Sequence, residues 1–306
     1  MNRENRNAVV SEYSTVTEAE WFQRSRLHNA RVAAVTDPWL EKRSRQQKDP
    51  VLDFLFEYYP FRVSRIKRWS PGIGVTLIYS GSSPLPSDEF TVEKGLAYLD
   101  PAKLSPKRRS SVHWILELLE KSAERKPHFG CFGMHEWAMV YKAREIRHDQ
   151  IPLRLLPEEI DRFVESRPLL CTHYDAFRFF TDPALPMNRH TLSRSRFTEM
   201  EQSGCIHTNM DLYKWAFKLS PWIEAELIAD TFLNAVEARK IDMRASPYDA
   251  RVFGLEPIRI ETEEGRIEYL KRQMEIHDRS APLRRRLIES CRTILRFTSL
   301  AVPTAP

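Results

Sequence analysis

CIHTNMDLYKWAFKL, residues 205–219, carries the clearest helical pattern in the chain. Four polar residues share one stripe of this predicted helix, within about 60° of arc at about 100° per residue: His207, Asp211, Lys214 and Lys218. Large aromatic residues such as Trp215 and Phe217 flank the stripe. A polar stripe between aromatic walls can line a pocket, and the alternative is the solvated face of an amphipathic helix.

Outward from this stretch, most of the chain also has helical periodicity. We predict helices from Thr15 to a break at Asp37-Pro38, over residues 50–59, from residue 106 with Ser110 or Ser111 as its cap, over 131–146, and over 226–240. A helical C-terminal third, 266–297, is expected to break at Pro282. The segments GIGVTLIYSG (72–81) and PIRIET (257–262) read as strands, and EFTVEKGLAYLD (89–100) reads as a strand pair or a loop.

The predicted fold class is therefore mainly α, a single globular helical domain with a small β element at about residues 72–100 and 257–262. Residues 1–49 are expected to form an N-terminal helical extension, and 50–290 the main domain, with the site motifs at 128–261. Residues 291–306 are expected to be the end of the last helix and a loose tail. The composition, 42% hydrophobic and 29% charged residues over 306, is that of a chain with a real core.

Charge and composition narrow the functional classes. The net charge of +5 is modest for this length, so it fits a plain basic surface as well as contact with nucleic acid. Only nine glycines are present, which disfavours phosphate-cradling loops. The N-terminus is polar and no apolar run reaches about 18 residues, so we predict a cytoplasmic protein with no membrane partner. Its four cysteines are then expected to be reduced: Cys131, Cys171, Cys205 and Cys291.

Two motifs place ionisable residues among apolar neighbours. In HFGCFGMHEWAMVYK (128–142), His135 and Glu136 begin a stretch that otherwise resembles core, and buried ionisable groups need partners. Met139 stands where the second histidine of a zinc HExxH helix would be. In LLCTHYDAFRFF (169–180), His173 and Asp175 form the H-x-D pair of facial-triad iron sites. The alternative is that Asp175 pairs with an arginine.

A third motif and the cysteines complete the candidate set. DMRASPYD (242–249) gathers Asp242, Arg244, Ser246 and Asp249 around a proline, either as an ion-paired turn or as a ligand-binding loop. Pairs spaced C-x-H could contribute to a zinc site, although that spacing is unusual for zinc. No cofactor is certain. Iron or zinc are the candidate ions, with candidate ligands His135, His173, Asp175 and His207.

These motifs, together with DPVLDFLFEYY (49–59), resemble a family of bacterial proteins commonly labelled 3-methyladenine DNA glycosylase, over about residues 50–290. The resemblance implies hydrolysis of an N-glycosidic bond that releases an alkylated purine from DNA, with DNA or a nucleoside-like molecule as partner. Such a reaction needs a carboxylate near the sugar and rings that stack on the flipped base. Under this reading the catalytic candidates are Asp211, Asp175, Glu136 and Lys214. The substrate-binding candidates are His135, Trp137, His173, Tyr174, His207, Trp215, Arg244, Ser246, Tyr248 and Asp249. The candidates for phosphate contact are Arg65, Lys67 and Arg68.

Three hypotheses therefore remain open. The first is the DNA repair glycosylase that the resemblance implies. The second is a metal-dependent enzyme that uses iron or zinc at a His/Asp site on a small molecule or nucleoside. The third is a nucleic-acid-binding protein without catalysis.

Overall fold

The computed structural model describes residues 12–85, 87–145 and 151–300. The helices of this part of the chain are α1 (Glu18–Ser44), α2 (Pro50–Tyr58), α3 (Val63–Ile66), α4 (Pro106–Glu124), α5 (Met134–Ala138), α6 (Pro157–Glu165), α7 (Tyr174–Phe177), α8 (Phe197–Met200), α9 (Ile206–Leu219), α10 (Ala225–Ala245) and α11 (Glu263–Leu300). The strands are β1 (Ser14–Val16), β2 (Val75–Ile78), β3 (Phe90–Glu93) and β4 (Leu96–Leu99). The mainly helical fold with a small sheet is as the sequence predicts.

Helices α9 and α10 form the centre of the fold. Twelve of the 14 residues of α9 are buried, so this helix has almost no solvated face. Most of α10 is buried as well, and the two helices are joined by only five residues, 220–224. Such a short connection makes them packed neighbours. The helices α2 and α11 pack against this pair, and α4 packs against α11. His207 and Asp211 of the predicted stripe consequently lie in the protein interior, whereas Lys214 is partly buried and Lys218 is exposed.

The sheet has the order β1-β2-β4-β3. β1 runs parallel to β2, with Ser14 opposite Val75, and the other two neighbouring pairs are antiparallel. β3 and β4 are joined by Lys94 and Gly95, which both have positive φ and so turn the chain in a tight hairpin. The predicted β element at 72–100 is confirmed, and the N-terminal segment adds an edge strand to it.

The predicted strand at 257–262 is wrong. Ile258 and Ile260 are fully buried, as the apolar pattern suggests, but the segment joins no strand. Instead the Ile258 N–H donates to the Arg244 carbonyl oxygen at 2.7 Å, at the end of α10. The segment therefore supplies a hydrogen-bond donor to a free carbonyl group in the last turn of α10, and it does not extend the sheet.

Two predicted helix breaks are also wrong. Pro38 lies inside α1, because the next residue, Trp39, is buried and its indole donates to Asp53 at 2.8 Å. Pro282 lies inside α11, where Ser280 and Arg284 on either side of it are buried. In both cases tertiary packing outweighs the cost of about 3 kcal/mol that an interior proline imposes.

Three helix boundaries differ from the sequence prediction. Of the described residues 131–145 only Met134–Ala138 are helical, because Phe132 and Gly133 before them and Lys142 after them have positive φ. The cap of α4 is Ser105, whose hydroxyl accepts from the Arg108 N–H at 3.3 Å. α10 continues to Ala245, so Asp242 lies on a helix and not in a turn. The predicted loose tail, 301–306, falls outside the described residues.

No helix in the described part of the chain combines the length and the apolar character needed to cross a lipid bilayer.

A pair of glycines tests the packing that holds α10 in place. Gly72 and Gly81 have almost the same positive φ, +83° and +85°. A Cβ at Gly72 would lie 2.9 Å from the Glu224 backbone nitrogen, whereas a Cβ at Gly81 would meet nothing within 4 Å. We expect Gly81→Ala to cost about 1 kcal/mol from backbone strain alone, and Gly72→Ala to cost about 2 kcal/mol more from overpacking. Urea unfolding of both variants measures this, and equal losses would contradict the packing described.

Candidate functional site

Five segments of the chain bring ionisable side chains to one buried region. α9 contributes His207 and Asp211, which lie one turn apart on its inner face. α5 contributes His135, and α10 contributes Asp242. The N-cap of α7 is His173. Glu201, which follows α8, completes the set. Each of these six side chains is at most 6% exposed.

The first group, which we call the His135 triad, consists of His135, His207 and Asp242. The Nε2 atom of His135 lies 3.0 Å from Oδ1 of Asp242, and Nε2 of His207 lies 4.0 Å from Oδ2 of the same carboxylate. Nε2 of His135 and Oδ1 of Asp242 are nevertheless without a hydrogen-bond partner among the described residues. The two atoms are close together but are not aligned as a donor and an acceptor.

A buried arginine supports the His135 triad from behind. Arg239 donates from one NH1 group to Glu136 at 2.6 Å and to Oδ2 of Asp242. Burial by itself would raise the pKa of Asp242, but His135 and Arg239 hold that pKa well below its usual value. Burial and the neighbouring His135 lower the pKa of His207. The triad therefore contains an ionised carboxylate and a neutral imidazole.

The second group, which we call the His173 triad, consists of His173, Glu201 and Asp211. The Nε2 atom of His173 lies 3.2 Å from Oε1 of Glu201 and 3.4 Å from Oδ2 of Asp211. Among the described residues, neither this nitrogen nor either oxygen of Glu201 has a hydrogen-bond partner. Burial raises the pKa of Glu201 to about 7, against the opposing influence of His173.

The His173 ring also contacts the start of its own helix. Its Nδ1 lies 3.2 Å from the Ala176 backbone nitrogen. The same Ala176 N–H has the His173 carbonyl oxygen as a second acceptor, also at 3.2 Å. Nδ1 therefore accepts a hydrogen bond, and Nε2 is the ring nitrogen that faces Glu201 and Asp211.

Asp211 is the most heavily bonded carboxylate of the region. The Tyr59 hydroxyl donates to its Oδ1 at 2.5 Å, and the Lys214 ammonium group donates to its Oδ2 at 2.9 Å. Lys214 also donates to Asp175 at 2.9 Å. Burial favours the protonated acid, but Lys214 and His173 keep the pKa of Asp211 well below its usual value. Asp211 is therefore an anion held in a fixed position.

The two triads adjoin one another at His207. Its ring centroid lies 4.2 Å from that of His135 and 5.3 Å from that of His173. Three imidazoles and three carboxylates from distant parts of the sequence thus form one continuous cluster. His207 and Asp211 lie one turn apart on α9, so His207 belongs to the His135 triad and Asp211 to the His173 triad.

A small cavity reaches the cluster from one side. We call it the apolar pocket; its volume is about 180 Å³. Its walls are mainly apolar, and Glu136, Asp175 and His207 reach it: the other lining residues are Phe54, Tyr58, Met139, Ala176 and Phe179. A larger cavity, about 870 Å³ between α1, α2 and α10, is lined by no member of either triad. The apolar pocket is therefore the cavity through which a small molecule would meet the triads.

Other predicted site residues have structural roles. Trp137 is fully buried and donates to the Ala245 carbonyl oxygen at 2.9 Å, so it has no exposed face for a base. The Ser246 hydroxyl donates to the Met243 carbonyl at 2.7 Å. Arg244 pairs with Glu268 at 3.0 Å, and Asp249 pairs with Arg251 at 2.5 Å. Tyr248 is buried and reaches a space of only about 60 Å³.

The predicted phosphate contacts lie apart from the triads. Lys67 is ion-paired with Asp37, and the Arg65 guanidinium lies over the Phe217 ring at 5.4 Å. Arg68 is exposed. None of these three side chains lines the apolar pocket. Tyr174 and Trp215, the remaining predicted stacking residues, line a different cavity together with Asp175.

The sequence analysis missed three residues of the site, Glu201, Arg239 and Tyr59, and named Asp242 only as a candidate in a turn. Glu201 lies in a short segment without any periodic pattern, so no sequence signal marks it. Arg239 and Asp242 are three residues apart within a largely apolar helix, and that spacing could have indicated a buried ion pair. Tyr59 follows α2, and nothing local links it to Asp211.

The burial of Arg239 gives a stability prediction. Arg239→Met keeps an apolar stem but leaves Glu136 and Asp242 without their cation. We expect a loss of about 3–5 kcal/mol in the free energy of unfolding, because an uncompensated buried charge is costly. The control is Arg45→Met, which removes an exposed pair with Glu41 and should cost less than about 1 kcal/mol. Denaturant unfolding compares the two, and a loss at Arg239 as small as that at Arg45 would contradict this account.

Comparison of this chain with protein-family models, with curated proteins and with solved structures found no match.

Proposed function

We propose that this chain is a metal-dependent enzyme in which the His135 triad and the His173 triad each bind one transition-metal ion. A single observation carries the proposal: five buried ligand-type atoms of the two triads have no hydrogen-bond partner in the described structure. They are Nε2 of His135, Oδ1 of Asp242, Nε2 of His173 and both carboxylate oxygens of Glu201. Buried polar atoms are rarely left without a partner, and a bound ion is one of the few explanations.

The separations within each triad fit metal coordination. When metal–ligand bonds are about 2.1 Å long, adjacent ligand atoms lie about 3.0 Å apart and opposite ones about 4.2 Å apart. The separations are 3.0 and 4.0 Å in the His135 triad, to the two different oxygens of Asp242, and 3.2 and 3.4 Å in the His173 triad. In each triad, one ligand atom from every member lies within 4.8 Å of the others.

The charge of the region supports the same proposal. Four carboxylates are at most 3% exposed: Glu136, Glu201, Asp211 and Asp242. Arg239 and Lys214 form ion pairs with three of them, and the imidazoles of His135 and His173 lie 3.0–3.4 Å from Asp242, Glu201 and Asp211. Buried carboxylates need such positive charge close by. Divalent ions bound by neutral imidazoles at the triads would supply it.

The ligand types favour iron, with zinc as the alternative. The His135 triad has two imidazoles and one carboxylate, the ligand set of many non-haem iron sites and of some catalytic zinc sites. The His173 triad is richer in carboxylates, which iron accepts readily. Neither triad contains a cysteine. Burial raises the pKa of the Cys171 thiol to about 12 and that of Cys205 as well, so both thiols remain protonated.

The apolar pocket suggests the kind of substrate. Its volume of about 180 Å³ suits a small molecule or a small part of a larger one. Phenyl and thioether groups form most of its wall, and His207 brings the His135 triad to its surface. A metal ion there would act as a Lewis acid or as a redox centre. Exclusion of water by the apolar wall would protect reactive species from side reactions.

Elemental analysis is the direct test. Protein purified without an affinity tag should contain about two transition-metal ions per chain, mainly iron, because each triad provides one set of ligands. His135→Ala and His173→Ala should each reduce the metal content by about half. His113→Ala is the control, since His113 is an exposed histidine of α4 and should leave the content unchanged. Folded wild-type protein that takes up no iron or zinc would refute the proposal.

Thermal unfolding gives a second, independent test. Metal bound only by the folded protein stabilises it by about 4 kcal/mol at 1,000 times its dissociation constant. For a chain of this size we therefore expect Tm to rise by about 8 °C when Fe²⁺, added without air, or Zn²⁺ is restored to EDTA-treated protein. The double variant His135→Ala/His173→Ala should show no rise, and an equal rise in that variant would mean that the ions bind elsewhere.

The glycosylase activity implied by the family resemblance is a second candidate. The observation that favours it is Asp175, which lies in a cavity beside Tyr174 and Trp215, so that a carboxylate and stacking rings occur together. Asp211, the other predicted catalytic carboxylate, is fully buried and bonded to Tyr59 and Lys214. Release of 3-methyladenine from alkylated DNA by EDTA-treated protein, lost in Asp175→Asn, would support this function. Absence of base release would exclude it.

A further inference from the structure

A second cavity, of about 590 Å³, lies on the other side of α7 from the apolar pocket. Trp114 of α4, Arg178, which follows α7, and Arg194 of a short 3₁₀ helix form part of its lining. Trp215 and Lys218 of α9 form the opposite part. We call this cavity the cationic groove. Its volume is in the range of small-molecule binding sites.

The groove has an excess of positive charge. Four cations line it, Arg178, Arg194, Lys214 and Lys218, against the single carboxylate of Asp175. That carboxylate is already shared, since it lies 3.3 Å from Arg178 and 2.9 Å from Lys214. Within the residues that the structure describes, Arg194 and Lys218 form no ion pair.

The protein relieves the repulsion among these cations only in part. Burial and the nearby charges of Lys214 and Arg194 lower the pKa of Lys218, and Asp211 and Asp175 oppose this without cancelling it. The Lys218 ammonium lies 5.0 Å from the centre of the Trp215 ring, so an aromatic face is its close neighbour. An anion between Lys218 and Arg194 would remove this repulsion.

Aromatic rings form the rest of the surface. Trp114 is 38% exposed, a large value for a tryptophan whose ring packs against Trp215 at 5.2 Å. Phe197 contacts both indoles, at 5.8 and 6.3 Å. The exposed indole offers a flat apolar face next to the cations, and a planar ring can stack on such a face.

We propose that the cationic groove binds a small organic anion, in which a phosphate or carboxylate group is attached to a planar ring. The anion lies between Lys218 and Arg194, and the ring stacks on Trp114. Recognition of this kind needs no metal ion, so the proposal stands or falls separately from the proposed metal function. If both hold, the groove gives the enzyme a second ligand site, with Asp175 lining both the groove and the apolar pocket.

The test is isothermal titration calorimetry on EDTA-treated and metal-loaded protein. Phenyl phosphate and phenylacetate distinguish the two sources of negative charge, while inorganic phosphate and phenol each carry only half of the proposed ligand. We expect at least one of the ring-bearing anions to bind about tenfold more tightly than either half alone. The same affinity should be found with and without metal.

Variants identify the groove as the place of binding. Lys218→Ala and Arg194→Ala should each weaken binding by about five- to tenfold, because each removes one charged contact. Trp114→Leu should remove the advantage of the ring-bearing anion over inorganic phosphate. Lys271→Ala, an exposed cation of α11, is the matched control and should have no effect. Circular dichroism and Tm verify that each variant is folded.

Three results would overturn the proposal. One is the absence of binding by any of the four compounds to folded wild-type protein. Another is binding of inorganic phosphate as tight as that of both ring-bearing anions. The third is an affinity that Lys218→Ala and Arg194→Ala leave unchanged.

Discussion

Asp211 and Asp242 are ionised carboxylates in the centre of a helical protein, and their burial constrains everything around them. Each lies on one of the two central helices and is at most 1% exposed. Removing a carboxylate from water costs several kcal/mol unless cations and donors surround it. Arg239 lies beside Asp242 and offsets this cost. Lys214 and Tyr59 do the same for Asp211. The pairs Arg239–Asp242 and Lys214–Asp211 lie within α10 and α9, and the Tyr59–Asp211 hydrogen bond joins the end of α2 to α9.

Both oxygens of Asp211 accept hydrogen bonds, whereas the bonding of Asp242 leaves one oxygen available. The arginine contacts Oδ2 of Asp242, while Oδ1 points towards His135 without a hydrogen bond in the described structure. Partners that hold a ligand residue from behind are typical of metal sites, where they orient the ligands and adjust their basicity. In the His173 triad, Nε2 of His173 and both oxygens of Glu201 likewise have no hydrogen-bond partner in the described structure. This common pattern links the two triads in one proposal.

The short helix α7 organises the surroundings of the cluster. His173 at its start belongs to a triad, whereas Asp175 in its first turn lines both the apolar pocket and the cationic groove. The groove side bears arginines, lysines and indoles, and the pocket side bears phenyl and thioether groups. A helix of four residues thus separates two very different chemical environments. Both are within reach of the same buried charges.

The sequence by itself determined the fold class, the central β element and the single stripe of His207, Asp211 and Lys214, because helical and strand periodicity are local properties. It also selected His135 and His173, since ionisable residues among apolar neighbours require partners. It did not identify Glu201, Arg239 or Tyr59 as members of the site, and it broke α1 and α11 at prolines that both helices tolerate. Only the tertiary structure decided these points. Packing of distant segments determines which carboxylates meet which imidazoles and whether a buried helix continues through a proline, and no local pattern of residues records that packing.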